Sequence, residues 1–193
     1  MKNRTPLLAV LAVALLALPG CSSNTQGDDA SPVYYSASFD LLPLEWNVGS
    51  YLPLQIQTTT LKSNLKNPLG GSSSYLDSRL EDYVVEWSRV DGGKKAPAAE
   101  TFVGNVIVPA GGTSTLTDYP YMSRSALIAS PLDQLLPFNG GIDRETGKSE
   151  IRCKATVTFR GRTLAGEPVR GTGSFGMTFL YSAATQSVVG RVN

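Results

Sequence analysis

Residues 151–160 read IRCKATVTFR. Ile151, Cys153, Ala155, Val157 and Phe159 alternate with Arg152, Lys154, Thr156, Thr158 and Arg160, a period of two that belongs to a strand with one buried face. Folding back through GRTLAGE at 161–167, centred near Ala165, predicts a hairpin in which Phe159 lies opposite Gly171, Val157 opposite Gly173, Ala155 opposite Phe175 and Cys153 opposite Met177. Large faces small at these positions, as close packing prefers, and the same register pairs Thr158 with Thr172 and Thr156 with Ser174 on the outer face.

Other period-two or β-branched runs lie near 33–40, 51–60, 82–90, 102–108, 122–129 and 169–180, and Gly-Gly doublets at 70, 92, 111 and 140 mark turns between them. Long helical patterns are nearly absent. The chain is therefore expected to be all-β, an antiparallel sandwich. One short helix is expected at SPLDQLLP, residues 130–137, with Ser130 as cap, Pro131 in the first turn and Pro137 as terminator. Leu132, Leu135 and Leu136 then share a face that plugs one end of the core.

The N-terminus follows a different logic. Lys2 and Arg4 precede an uncharged apolar run from Leu7 to Leu18, the order of a secretory leader. The run is shorter than the ~18–20 residues that cross a bilayer. It ends in LLALPGC, where Leu18 stands three residues before Cys21 and Gly20 directly before it. This pattern resembles the lipobox of bacterial lipoproteins. The resemblance implies that the leader, residues 1–20, is cleaved, that the Cys21 thiol takes a diacylglycerol, and that acyl chains anchor the mature protein without spanning the membrane. Ser22 after the cysteine resembles the pattern of enteric lipoproteins sent to the outer membrane, which is expected here ahead of the inner membrane. Residues 21–31 then form the acylated cysteine and a polar tether, 32–182 the folded domain, and 183–193 a C-terminal tail.

The 151–180 hairpin, together with VEWSRVDGG at 85–93, resembles the strand and turn pattern of immunoglobulin-like and fibronectin type III modules of surface lipoproteins. Paired sandwich cysteines are missing, so Trp87 is expected in the core without the disulfide it usually packs against. Only two cysteines exist, and acylation of Cys21 leaves Cys153 as a small buried hydrophobe.

Without the leader, seventeen basic side chains become fifteen, against sixteen acidic ones. That balance implies no nucleic-acid partner. The chain holds no histidine, which removes the commonest general base, the usual zinc ligand and the Ser-His and Cys-His nucleophile pairs. Asp82 and Glu86 share a strand face but stand ~13 Å apart, beyond the ~5–9.5 Å of paired glycosidase carboxylates, and read as solvated edge charges. Asp143 and Glu145 in GIDRETGK, residues 141–148, suggest calcium only weakly, because Gly147 occupies the fifth place of the would-be loop. A charged loop is the expectation there, and Asp91-Gly92-Gly93 reads as a turn. No cofactor or metal is implied.

The candidate binding surface is basic. Arg152, Lys154 and Arg160 share the outer face of the hairpin, Arg170 lies opposite Arg160, and Arg162 is placed in the loop. Like charges directly opposite are unfavourable, so Glu150, Glu167 or an external anion, such as a polysaccharide or lipid head group, is needed to offset them. Tyr34, Tyr35, Tyr51, Tyr75, Tyr119 and Tyr121 offer a sugar-stacking platform or, as the commoner use, half-buried packing. The leading expectation is a non-enzymatic lipoprotein of the cell envelope, presenting a sandwich to an envelope protein or polysaccharide. A β-barrel carrier of a lipid or other small apolar ligand, and a carboxylate-based glycan-acting enzyme, are the competing classes.

Overall fold

The computed structural model describes residues 31–40, 45–50 and 52–182. In chain order the strands are β1 (Val33–Asp40), β2 (Glu45–Asn47), β3 (Leu54–Leu65), β4 (Ser78–Arg89), β5 (Glu100–Val108), β6 (Thr113–Met122), β7 (Glu150–Thr163) and β8 (Pro168–Leu180). They form two sheets, β1-β3-β6 and β2-β8-β7-β4-β5. Every pairing is antiparallel except that of β2 with β8. The expected all-β sandwich is the observed architecture.

The β7–β8 hairpin has the register read from the sequence: Phe159 pairs with Gly171, Val157 with Gly173, Ala155 with Phe175 and Cys153 with Met177. Ile151, Cys153, Ala155, Val157 and Phe159 are all buried. The glycines serve a further purpose that sequence reading did not show. Val33, Tyr35, Ala37 and Phe39 of β1 point across to β7 and β8, and a Cβ on Gly171 would run into the backbone carbonyl of Tyr35. A Cβ on Gly173 would sit 2.8 Å from the Phe39 ring, and one on Gly161 would meet both the Tyr35 hydroxyl and the Arg79 carbonyl of β4. Side-chain-free positions on β7 and β8 thus let the first strand close one corner of the sandwich more tightly than the usual ~10 Å between sheets.

Aromatic rings fill the space between the sheets. Phe39 packs on Tyr121, Phe159 and Phe175, with centroids 5.0–6.4 Å away, and Tyr83 stacks on Phe102 at 5.4 Å. Two buried phenols are satisfied within this core: the Tyr83 hydroxyl donates to the Pro120 carbonyl at 2.6 Å, and the Tyr121 hydroxyl shares a hydrogen with Thr59 Oγ1 at 2.7 Å. Trp87, buried on β4, packs edge-on against Phe175 and Phe179, rings in place of a disulfide. Cys153 is the buried hydrophobe expected, its thiol pushed up to about 12 by burial, which keeps it in the unreactive protonated form.

Two expectations require correction. The strand expected near 122–129 lies earlier, as β6, and a short helix, α1 (Arg124–Leu127), follows it with Ser123 Oγ accepting the Ala126 N–H. Pro120 obscured β6 in the sequence. It is tolerated because β6 is an edge strand, so its missing N–H breaks no interior ladder. At 130–137 the chain forms a short 3₁₀ turn, Leu132–Leu135, rather than an α-helix, and Pro131 rather than Ser130 stands at the N-cap with no side-chain cap bond. Leu132, Leu135 and Leu136 are nevertheless buried as expected and close one end of the core.

The registers define two ends of the sandwich. Ser78, Val108, Thr163 and Pro168 lie at one end with the β7–β8 turn, and Arg89, Glu100, Glu150 and Leu180 lie at the other. Val33 pairs with Leu65, and Ser63 bridges to Ala110, so the chain enters the domain at the hairpin-turn end. Residues 123–149 and the departure of the tail at Ser182 belong to the opposite end.

Candidate functional site

The five candidate basic residues all fall on the outer face of the large sheet, Arg162 included. It is the penultimate residue of β7, paired with Pro168, and not part of the loop. Arg160 and Arg170 are direct cross-strand partners, as expected. The charges that offset them come mainly from β4. Arg160 Nε donates to Asp82 Oδ1 at 2.5 Å, Arg162 Nε lies 3.6 Å from Glu81 Oε1, and Arg152 reaches Glu150 at 2.6 Å. A bulge between Leu80 and Asp82 brings Glu81 and Asp82 together opposite these arginines. Asp82 is therefore an ion-pair partner on an interior strand, a correction to its reading as an edge charge.

Of the five candidates, Lys154 and Arg170 have no ion pair within 4 Å among the described residues, so within this group they are the cations left for an outside anion. Six positions of β8 separate the partner of Lys154, Gly176, from Arg170. That is a gap of about 20 Å along the strand, which suits an extended polyanion better than a single compact group.

The strongest electrostatic feature is one the sequence reading missed. Tyr83, Val85 and Trp87 point into the core, and Arg89 continues their parity, so its guanidinium is carried inward with a side chain only 2% exposed. Arg89 makes a bidentate pair with Asp91, Nε to Oδ1 at 2.8 Å and Nη2 to Oδ2 at 2.9 Å, and donates from Nη2 to Asp143 Oδ2 at 2.7 Å. Asp143 also accepts from Thr146 Oγ1 at 2.6 Å, and Asp91 accepts the Arg152 N–H at 2.8 Å. Glu145 caps the arrangement by accepting the Lys94 and Lys95 amides.

Burial opposes charge on Asp91, but the hydrogen bonds from Arg89, Arg152 and Gly93 outweigh it and hold the carboxyl at about 2. The same contest, won by Arg89 and Thr146, keeps Asp143 below the usual range. The expected charged loop is present before β7, with Arg144, Glu145 and Lys148 exposed, but within it Asp143 is a buried structural counter-ion. The signal available beforehand was the inward parity of Arg89, since a buried cation requires buried carboxylates.

Beside this network, α1 and the 3₁₀ turns border an open cleft of about 330 Å³. Ile128 and Phe138 form apolar walls and remain well exposed, while Oδ1 of Asp133 is buried there with no hydrogen-bond partner. The tyrosines do not make a platform: Tyr35 and Tyr121 are in the core, Tyr75 is exposed at the opposite end from the cleft, and Tyr51 lies outside the described residues. Cys21 lies outside them as well. Among the described residues, no group of three or more acidic, cysteine or histidine side chains is placed to hold a metal ion, and no helix is long and apolar enough to cross a membrane. Comparison with protein families, curated proteins and solved structures found no match to this chain.

Proposed function

We propose that this chain is a non-enzymatic lipoprotein of the bacterial cell envelope, held by acyl chains on Cys21 and presenting an immunoglobulin-like sandwich to an envelope protein or polysaccharide, with the outer membrane its expected site. The observation that carries this reading is the order of features ending in LLALPGC: charged start, short apolar run, leucine and glycine placed before a single cysteine, then a polar tether into a folded domain.

The strand order supports the immunoglobulin-like part. Lettered as in that class, β1-β3-β6 corresponds to A-B-E and β2-β8-β7-β4-β5 to A′-G-F-C-C′, with Trp87 on strand C. The aromatic packing between the sheets favours presentation of a surface over carriage of an apolar ligand inside. Asp91 and Asp143, two carboxylates the fold does gather, are engaged by Arg89, which favours a structural role for them over acid–base chemistry.

Fractionation of the producing cells tests the reading. The wild-type protein is expected with the membranes and a Cys21→Ser variant in the soluble extract. Equal membrane association of the two would end the proposal.

A further inference from the structure

The hairpin-turn end of the sandwich carries three large apolar side chains in water. Leu69 is 97% exposed, Tyr75 72% and Leu164 57%. They stand on connections that are held in place. The Ala165 N–H donates to the Tyr75 carbonyl, the Leu164 N–H to the Asp77 carbonyl, and Asn67 Oδ1 accepts the Leu69 N–H. Pro32 accepts the Lys66 N–H, so the chain coming from Cys21 enters beside this cluster.

We infer that this end is a bilayer-contact face: Leu69, Tyr75 and Leu164 dip into the lipid interface while the opposite end, with its cleft, points away. The inference rests on the proposed anchoring through Cys21 and adds an orientation to it. Tether length selects the end. Cys21 and Ser31 are ten residue steps apart, spanning at most about 35 Å when fully extended. The fourteen residues of β7 run about 46 Å from one end of the domain to the other. Ile128, Phe138 and Ile142 are also exposed, but they sit at the far end, and a tether of this length does not let the domain stand on that end with Cys21 in the bilayer. Exposed leucine and tyrosine side chains match the boundary between acyl chains and head groups.

The test uses the acylated full chain in phosphatidylethanolamine–phosphatidylglycerol vesicles whose acyl chains are brominated near the head group. Leu69→Trp and Phe138→Trp replace exposed side chains and so leave the fold intact, and each is read against the wild-type emission of Trp46 and Trp87. The new indole at 69 is expected to lose about half its emission by contact quenching, and the one at 138 none. Vesicle-bound protein with an unquenched residue 69, or with residue 138 quenched as strongly, overturns the orientation while leaving the anchor standing. If the wild-type chain taken from its producing cells carries no acyl group on Cys21 and stays off the vesicles, the orientation and the anchor both fall.

Discussion

Replacing Arg89 with methionine is expected to cost about 3–5 kcal/mol of folding stability at neutral pH, because it leaves Asp91 and Asp143 charged, buried and without the cation that each contacts within 3 Å. Exposed arginines lack this leverage. Arg162, with 61% of its side chain in water and 3.6 Å from Glu81, belongs with surface pairs worth about 1 kcal/mol or less.

The pH response provides a second reading of the same variant. The folded pKa of Asp91 is depressed to about 2, against an unfolded value near 4. The stability it contributes, about 2 kcal/mol, is therefore fully present above pH ~4 and is lost as pH falls through about 2. Asp143 shifts in the same direction and steepens that loss. In Arg89→Met neither carboxylate has the cation that keeps it ionised, so the acid limb between pH 4 and 2 should flatten. Urea unfolding at stepped pH measures both effects. A variant as stable as wild type at pH 7, or one with an unchanged acid limb, would show that the buried cation does not hold this end of the domain together.

Gly171→Ala should be nearly as damaging, at about 3 kcal/mol, although it adds a single methyl group. The added carbon would press against the carbonyl of Tyr35, a backbone atom that cannot rotate aside, so β1 must lift from β8. Neighbouring glycines grade the effect. At Gly173 the obstacle is the Phe39 ring, which can shift, and about 1 kcal/mol is expected. At Gly176 nothing lies within 4 Å, and the cost should be near zero or slightly favourable. Thermal unfolding of the three variants checks this order. Equal losses at 171 and 176 would mean that strand propensity, rather than the close approach of β1, explains the glycines.

These two sites also show what could be read from sequence. The β7–β8 register was legible because parity, turn placement and the Phe159–Gly171 and Val157–Gly173 pairings all agree locally. The reason for those glycines was not, since Tyr35 and Phe39 approach from a strand more than 130 residues earlier in the chain. Arg89 and Asp143 are joined across 54 residues by the packing of two loops, and alternation on β4 could reveal only that the arginine pointed inward. β6 was hidden because Pro120 looks like a strand breaker until its edge position is known. The basic face was legible as a pattern on β7 and β8. Its offsetting acids were not, because Glu81 and Asp82 reach it through a bulge on a third strand.

The intact mass of the protein extracted from membranes bears most directly on the claim that acyl chains on one cysteine tether a water-facing sandwich. The account predicts a polypeptide beginning at Cys21, lacking residues 1–20 and heavier than its amino acids by a diacylglyceryl group. A chain that retains its leader, or one that begins elsewhere with Cys21 as a plain thiol, would contradict it.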